Sequence, residues 1–173
     1  EYVRPRRWTQ GQRSGEGCVE PAVTEALPLS LDFSLVAETE VEGIADEVQL
    51  GTLAGSILAA EGATGAWEVV VALVSDDELQ ALHLRFMGID EPTDIMTFPY
   101  GDGMQGGDLA ISADHARARA VEWGNSPAQE IEFLIAHGVL HLLGWQDSSP
   151  AQRETMLDRQ EELVTRRRAS RDR

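Results

Sequence analysis

The chain contains no lysine and a single cysteine, Cys18. One thiol excludes an internal disulfide and any zinc site built from several cysteines, and it fits a reducing, intracellular setting. No apolar run approaches the roughly 18 residues of a membrane span, and no basic–apolar–small leader pattern is read. The expectation is a cytoplasmic protein without a membrane partner. Positive charge is scarce through the middle of the sequence. All 14 basic residues are arginine, four within 1–13 and seven within 153–173. Only Arg85, Arg117 and Arg119 lie between, against 24 Asp and Glu in 14–152, so that body carries a formal charge near −21 within a net −16. A surface so acidic repels free nucleic acid at long range, which argues against a stand-alone tight binder of RNA and leaves DNA out as a partner. It stays compatible with a local basic groove or with attachment through another protein. The arginine-rich ends read as solvated tails or as phosphate-contacting arms.

What is present is enough for one packed domain: 173 residues, 42% of them hydrophobic. Residues 1–27 show no apolar period and read as a disordered tail. A single domain is expected over 28–165, followed by an Arg-rich tail over 166–173. Leu29–Leu35 alternates strictly and predicts a half-buried strand. Ile44–Ala60 predicts a helix despite Gly51 and Gly55. Ala66–Val74, with three consecutive valines, predicts a central strand. Ser75 caps the next helix, with Glu78 completing a capping box, and Gly88 ends it after Met87. Thr93–Pro99 predicts a short strand, Tyr100–Gly107 a mobile glycine-rich loop, and Asp108–Ser112 another strand. Helices are expected from Asp114 to near Gly124, from Ser126-Pro127 through Leu143, and from Ser149-Pro150 to about Thr165. The order gives an α+β fold: a small mixed four-stranded sheet packed with about five helices.

The chain is organised around His137-Gly138-Val139-Leu140-His141-Leu142-Leu143-Gly144-Trp145-Gln146-Asp147. On a helix, His137 and His141 share one face, so both imidazoles can point at one atom. Gly144 is placed for a left-handed turn, after which Asp147 can swing back with an oxygen. Two nitrogens and a carboxylate leave a fourth position open, as catalytic zinc sites do. The spacing is that of the metzincin protease motif H-E-x-x-H-x-x-G-x-x-H, with Asp147 as third ligand and Gly138 where that motif has its general-base glutamate. Without that base the peptidase mechanism loses its proton acceptor, whereas the metal does not.

Together with Pro92-Thr93-Asp94-Ile95-Met96-Thr97-Phe98-Pro99 and Gly107-Asp108-Leu109-Ala110-Ile111-Ser112, and with Glu130 upstream, this segment resembles the YbeY family of rRNA maturation factors. The family's hallmark is close to H-G-x-L-H-L-x-G-Y-D-H, and its second signature is P-T-D-V-L-S-F-P. The resemblance covers roughly residues 30 to 165. It implies one zinc per chain on His137, His141 and Asp147, the last falling where most members have histidine. It also implies a metal-dependent endoribonuclease acting on single-stranded rRNA, in 16S rRNA 3′-end maturation and ribosome biogenesis, with ribosomal small-subunit proteins as partners. Many members carry an arginine just before the loop glycine; here that position is Met87. Arg85, two residues earlier, is the candidate catalytic cation in its place. A non-catalytic assembly factor with a structural metal and a metzincin-like protease using Glu130 are the alternatives. His83 and His115 are expected at the surface, Trp145 packed beneath the site, and Thr93 and Asp94 either lining the cleft or bonded within a turn.

Overall fold

A computed structural model describes residues 27–37 and 43–171. The tail expected over 1–27 lies outside the described residues, apart from Leu27. The elements are β1 (Ser30–Ala37), α1 (Glu47–Ala60), β2 (Ala66–Val74), α2 (Asp76–Met87), β3 (Ile95–Pro99), β4 (Gln105–Ser112), α3 (Ala113–Trp123), α4 (Pro127–Leu142) and α5 (Pro150–Arg171). The sheet order is β1-β2-β4-β3. β1, β2 and β4 run parallel and β3 pairs antiparallel with β4, so the sheet is mixed, as expected. The valine-rich β2 is central.

Strand alternation divides the apolar residues between the two faces. Val69, Val71 and Leu73 of β2 and Leu109 and Ile111 of β4 enter the main core with α1, α4 and α5. Ala110 and Val74 turn the other way and meet Leu79 of α2 and Met96 of β3. Of the two glycines that weaken α1 as a helix, Gly51 has a packing reason. A Cβ on Gly51 would stand 3.1 Å from the Phe33 ring, so the glycine lets α1 lie close on β1.

Local signals set most element ends. Ser75 and Glu78 form the expected capping box, and so do Ser126 and Gln129 at the start of α4. Gly88 and Gly124 end α2 and α3 in the left-handed conformation. α1 starts at Glu47 and not Ile44, with Asp46 as its cap, β1 runs on to Ala37 and β3 starts at Ile95. Two further ends depart from expectation. β4 begins at Gln105, which shortens the glycine-rich loop to 100–104. Gly106 and Gly107 pair with β2, and Gly107 with β3 as well, and both must be glycine because no side chain fits there: a Cβ would meet the Glu68 carbonyl oxygen at 1.8 Å in one case and the Phe98 carbonyl oxygen at 2.4 Å in the other. α5 continues to Arg171 instead of ending near Thr165, so 166–171 is helix and not a separate tail. Arg168 holds that end, its Nε donating to Glu132 at 2.9 Å and its Nη2 to the Gln129 carbonyl at 3.2 Å.

Candidate metal centre

α4 lies against the sheet on one side and carries its two histidines on another. The side against the sheet is fixed by Gly138. A Cβ there would come within 2.7 and 2.8 Å of the Leu109 methyls and 3.0 Å of Ile95 Cδ1. The position that holds a general-base glutamate in the zincin motif is thus a close helix–sheet contact, with no opening to the histidine face.

His137 and His141 stand with ring centroids 4.6 Å apart and their Nε2 atoms 3.0 Å apart. Each ring is held through its other nitrogen. Gln160, 1% exposed on α5, gives its amide N–H to the Phe133 carbonyl at 2.8 Å, which leaves its Oε1 to accept from His137 Nδ1 at 3.1 Å. His141 Nδ1 donates to the Trp145 carbonyl at 3.0 Å. With both Nδ1 atoms donating, both Nε2 atoms carry lone pairs in the neutral rings. Two lone pairs facing each other at 3.0 Å repel, and a cation between them removes the conflict. Burial holds the His137 pKa below its ordinary 6.5, which favours the neutral, ligating ring.

Gly144, at φ 93°, turns the chain past the helix end, and Asp147 comes back to the pair. Its Oδ2 lies 4.0 Å from His137 Nε2 and 3.9 Å from His141 Nε2. A triangle with sides 3.0, 3.9 and 4.0 Å has its centre about 2.1 Å from each corner, which is a zinc–ligand bond length. The donor set therefore fits a metal ion, and these three residues are the group able to hold one among the described residues. Trp145 packs against the core beneath the site, as expected, and its Nε1 donates to Glu61 at 3.0 Å. Arg159 donates to the same carboxylate at 2.8 Å, so α1 and α5 together fix the turn that presents Asp147.

The centre opens into a cleft of about 1070 Å³, at the top of the usual range for small-molecule pockets and roomy enough for a polymer segment. Thr93 and Asp94 line it. Arg85 is not among its lining residues; it is exposed on α2 with its guanidinium 5.3 Å over the Phe86 ring. Met87 does line the cleft. His83 and His115, expected at the surface, also face it. His83 Nδ1 sits 2.8 Å from the Glu91 carbonyl, and His115 is half-buried with its Nε2 enclosed and without a hydrogen-bond partner among the described residues. Two arginines that the motifs did not single out, Arg119 of α3 and Arg153 of α5, reach the cleft. Glu130 lines it as well, buried and bonded to Asn125 Nδ2 at 2.6 Å. No helix among the described residues is long and apolar enough to cross a membrane.

Fold and site together define an α+β protein with a three-donor metal group open to a cleft. The chain belongs to the YbeY family: the model described as Endoribonuclease YbeY matches residues 36–168. An endoribonuclease YbeY of Chloroflexus aurantiacus is 40% identical over 138 residues, covering 72% of this chain and 89% of that protein. One of Bacillus licheniformis is 34% identical over 121 residues, 62% of this chain and 77% of that protein. The solution structure of a Thermotoga maritima protein matches with a TM-score of 0.56 and 24% identity, over 80% of this chain and 91% of that one, a likeness of fold.

Proposed function

We propose that the protein is a zinc-dependent endoribonuclease that cuts single-stranded rRNA during maturation of the small ribosomal subunit, in the cytoplasm. The observation that carries the reading is the pair of Nε2 lone pairs 3.0 Å apart beside Asp147, at the floor of an open cleft. The family and the names of its relatives support the reaction class.

Zinc, when bound, supplies Lewis acidity and acidifies water at neutral pH. The rest falls to the chain. His137, His141 and Asp147 would hold the ion, and Gln160 and the Trp145 carbonyl keep both imidazoles aimed at it. Cleavage of a phosphodiester needs positive charge at the nonbridging oxygens. Arg153, six residues beyond Asp147, lines the cleft and has no carboxylate partner among the described residues. It takes the part that the sequence offered to Arg85. Of the cleft carboxylates, Asp147 serves the metal and Glu130 is held by Asn125, which leaves Asp94 to accept a proton. The acidic body suits basic ribosomal proteins as partners. The same acidity favours, as a second reading, an assembly factor that binds without cutting.

The test is zinc content and cleavage of a single-stranded rRNA fragment, for wild type and Asp147→Ala. About one zinc per chain and chelator-sensitive cleavage, both lost in the variant, are expected. Zinc without cleavage supports the assembly factor. Full zinc retention after Asp147→Ala sinks the three-donor centre.

A further inference from the structure

We infer that the cleft-facing strip of α3 is a nucleotide-binding subsite, in which Arg119 takes a backbone phosphate of single-stranded RNA and Trp123 stacks one of its bases. The RNA identity of the ligand rests on the endoribonuclease reading; the rest comes from the strip itself.

His115, Arg119 and Trp123 stand four residues apart in series, so they share one face of α3. The first two line the cleft. Trp123 continues the strip and is 64% exposed, an expensive place for an indole. Arg119 is half-buried, yet it has no carboxylate partner among the described residues of a protein with 30 acidic groups. It shares this with Arg153 on the same cleft, whereas other arginines of the fold are paired. Arg117 pairs with Asp114 at 3.1 Å, Arg159 with Glu61 at 2.8 Å and Arg168 with Glu132 at 2.9 Å. The Arg119 guanidinium instead lies 5.3 Å over the Trp123 ring, a cation–π contact that orders both groups and leaves the N–H fork free for an anion. His115 lines the cleft one turn before Arg119, with its Nε2 enclosed and without a hydrogen-bond partner among the described residues, so it supports the strip from beneath and does not itself meet the ligand.

A cation and an exposed aromatic in one line are the elements of single-strand recognition: charge follows the phosphates and the ring stacks an unpaired base. A duplex keeps its bases stacked on one another and cannot offer one to Trp123. The strip also resolves the tension between an acidic body and an RNA substrate, because the positive charge needed is local to the cleft wall.

The experiment is fluorescence anisotropy of the zinc-loaded full chain with a labelled single-stranded RNA oligonucleotide, over a series of salt concentrations. Arg119→Ala should weaken binding about tenfold and flatten the log–log salt dependence by about 0.7, one phosphate on a single strand, with Arg119→Lys restoring most of the slope. Trp123→Ala should weaken binding about tenfold with the slope unchanged, and Trp123→Phe should stay close to wild type. Zinc content should be unchanged in all four variants. Wild-type affinity in both alanine variants, equal competition by a duplex, or no RNA binding by the wild type would overturn the inference. Binding without cleavage, reduced in the two alanine variants, would keep the strip and sink the endoribonuclease reading; cleavage with unaltered affinity in both would do the reverse.

Discussion

The α4–α5 wall of the cleft and the wall facing it, made by α2, β3 and α3, draw on the chain in different ways. His137, His141 and Asp147 lie within eleven residues, on one helix and the turn that leaves it. Their positions follow from helical spacing, a left-handed glycine and hydrogen bonds donated to Gln160 Oε1 and the Trp145 carbonyl. The facing wall collects Met87, Asp94, His115 and Arg119 from two helices and a loop. Its groups are held by packing against neighbours and by few specific bonds. The first wall is organised to fix one atom's position within a few tenths of an ångström. The second offers charge and aromatic surface along a length of cleft, which suits a chain that can slide or bend. The metal donors are encoded in one short segment, whereas the rest of the cleft lining is brought together from separate elements.

The comparison can be broken or sharpened at four points. The largest effect is expected at Gln160. Gln160→Leu removes the acceptor that aligns His137 and should weaken zinc binding about 10–100-fold, read by competition with a chromophoric chelator. Unchanged affinity would mean that the spacing on α4 suffices without its buried support. Gly138→Ala should cost about 1–3 kcal/mol of stability, seen as a lower denaturation midpoint, because the added methyl strikes Leu109 and Ile95. A neutral result would show that α4 can lift from the sheet without disturbing the histidines.

A smaller effect is expected from pH. Burial lowers the His137 pKa, so as pH falls through 6.5 the unfolded chain takes up that proton before the folded one. Stability of the metal-free protein should therefore be full above about pH 6.5 and decline as pH drops toward the lowered folded value. Denaturant titrations of wild type and His137→Gln at several pH values check this, since the variant should lose the decline. The smallest effect belongs to Arg85. Its side chain is exposed over Phe86 and outside the cleft lining, so Arg85→Ala should change RNA cleavage less than about threefold. A loss of a hundredfold would return the catalytic cation to α2 and remove it from Arg153.

Much of the metal wall could be read from the chain, because caps, spacing and turns are local. Ser75 and Glu78, Ser126 and Pro127, Gly88 and Gly144 all act on residues within a turn or two of themselves. The i, i+4 relation of His137 and His141 holds on any regular helix. Less was legible where glycines serve packing. Gly106 and Gly107 read as loop, yet sit in β4, where carbonyls of β2 and β3 leave no space for a Cβ and so require glycine. The extension of α5 to Arg171 likewise follows from Arg168 reaching Glu132, a contact 36 residues away. His115 read as a surface residue because its helix position gave no sign of the cleft wall opposite α4.

By itself, then, the sequence determined the elements, the mixed α+β class and the three donors with their spacing, since each depends on residues close along the chain. The tertiary structure decided which acceptors fix the donors, that Gly138 is a helix–sheet contact without room for a base, that Arg85 stays outside the cleft, and that Arg119 and Arg153 enter it. Those depend on contacts such as His137 with Gln160 and Trp145 with Glu61, 23 and 84 residues apart. Such distances close only when the elements pack.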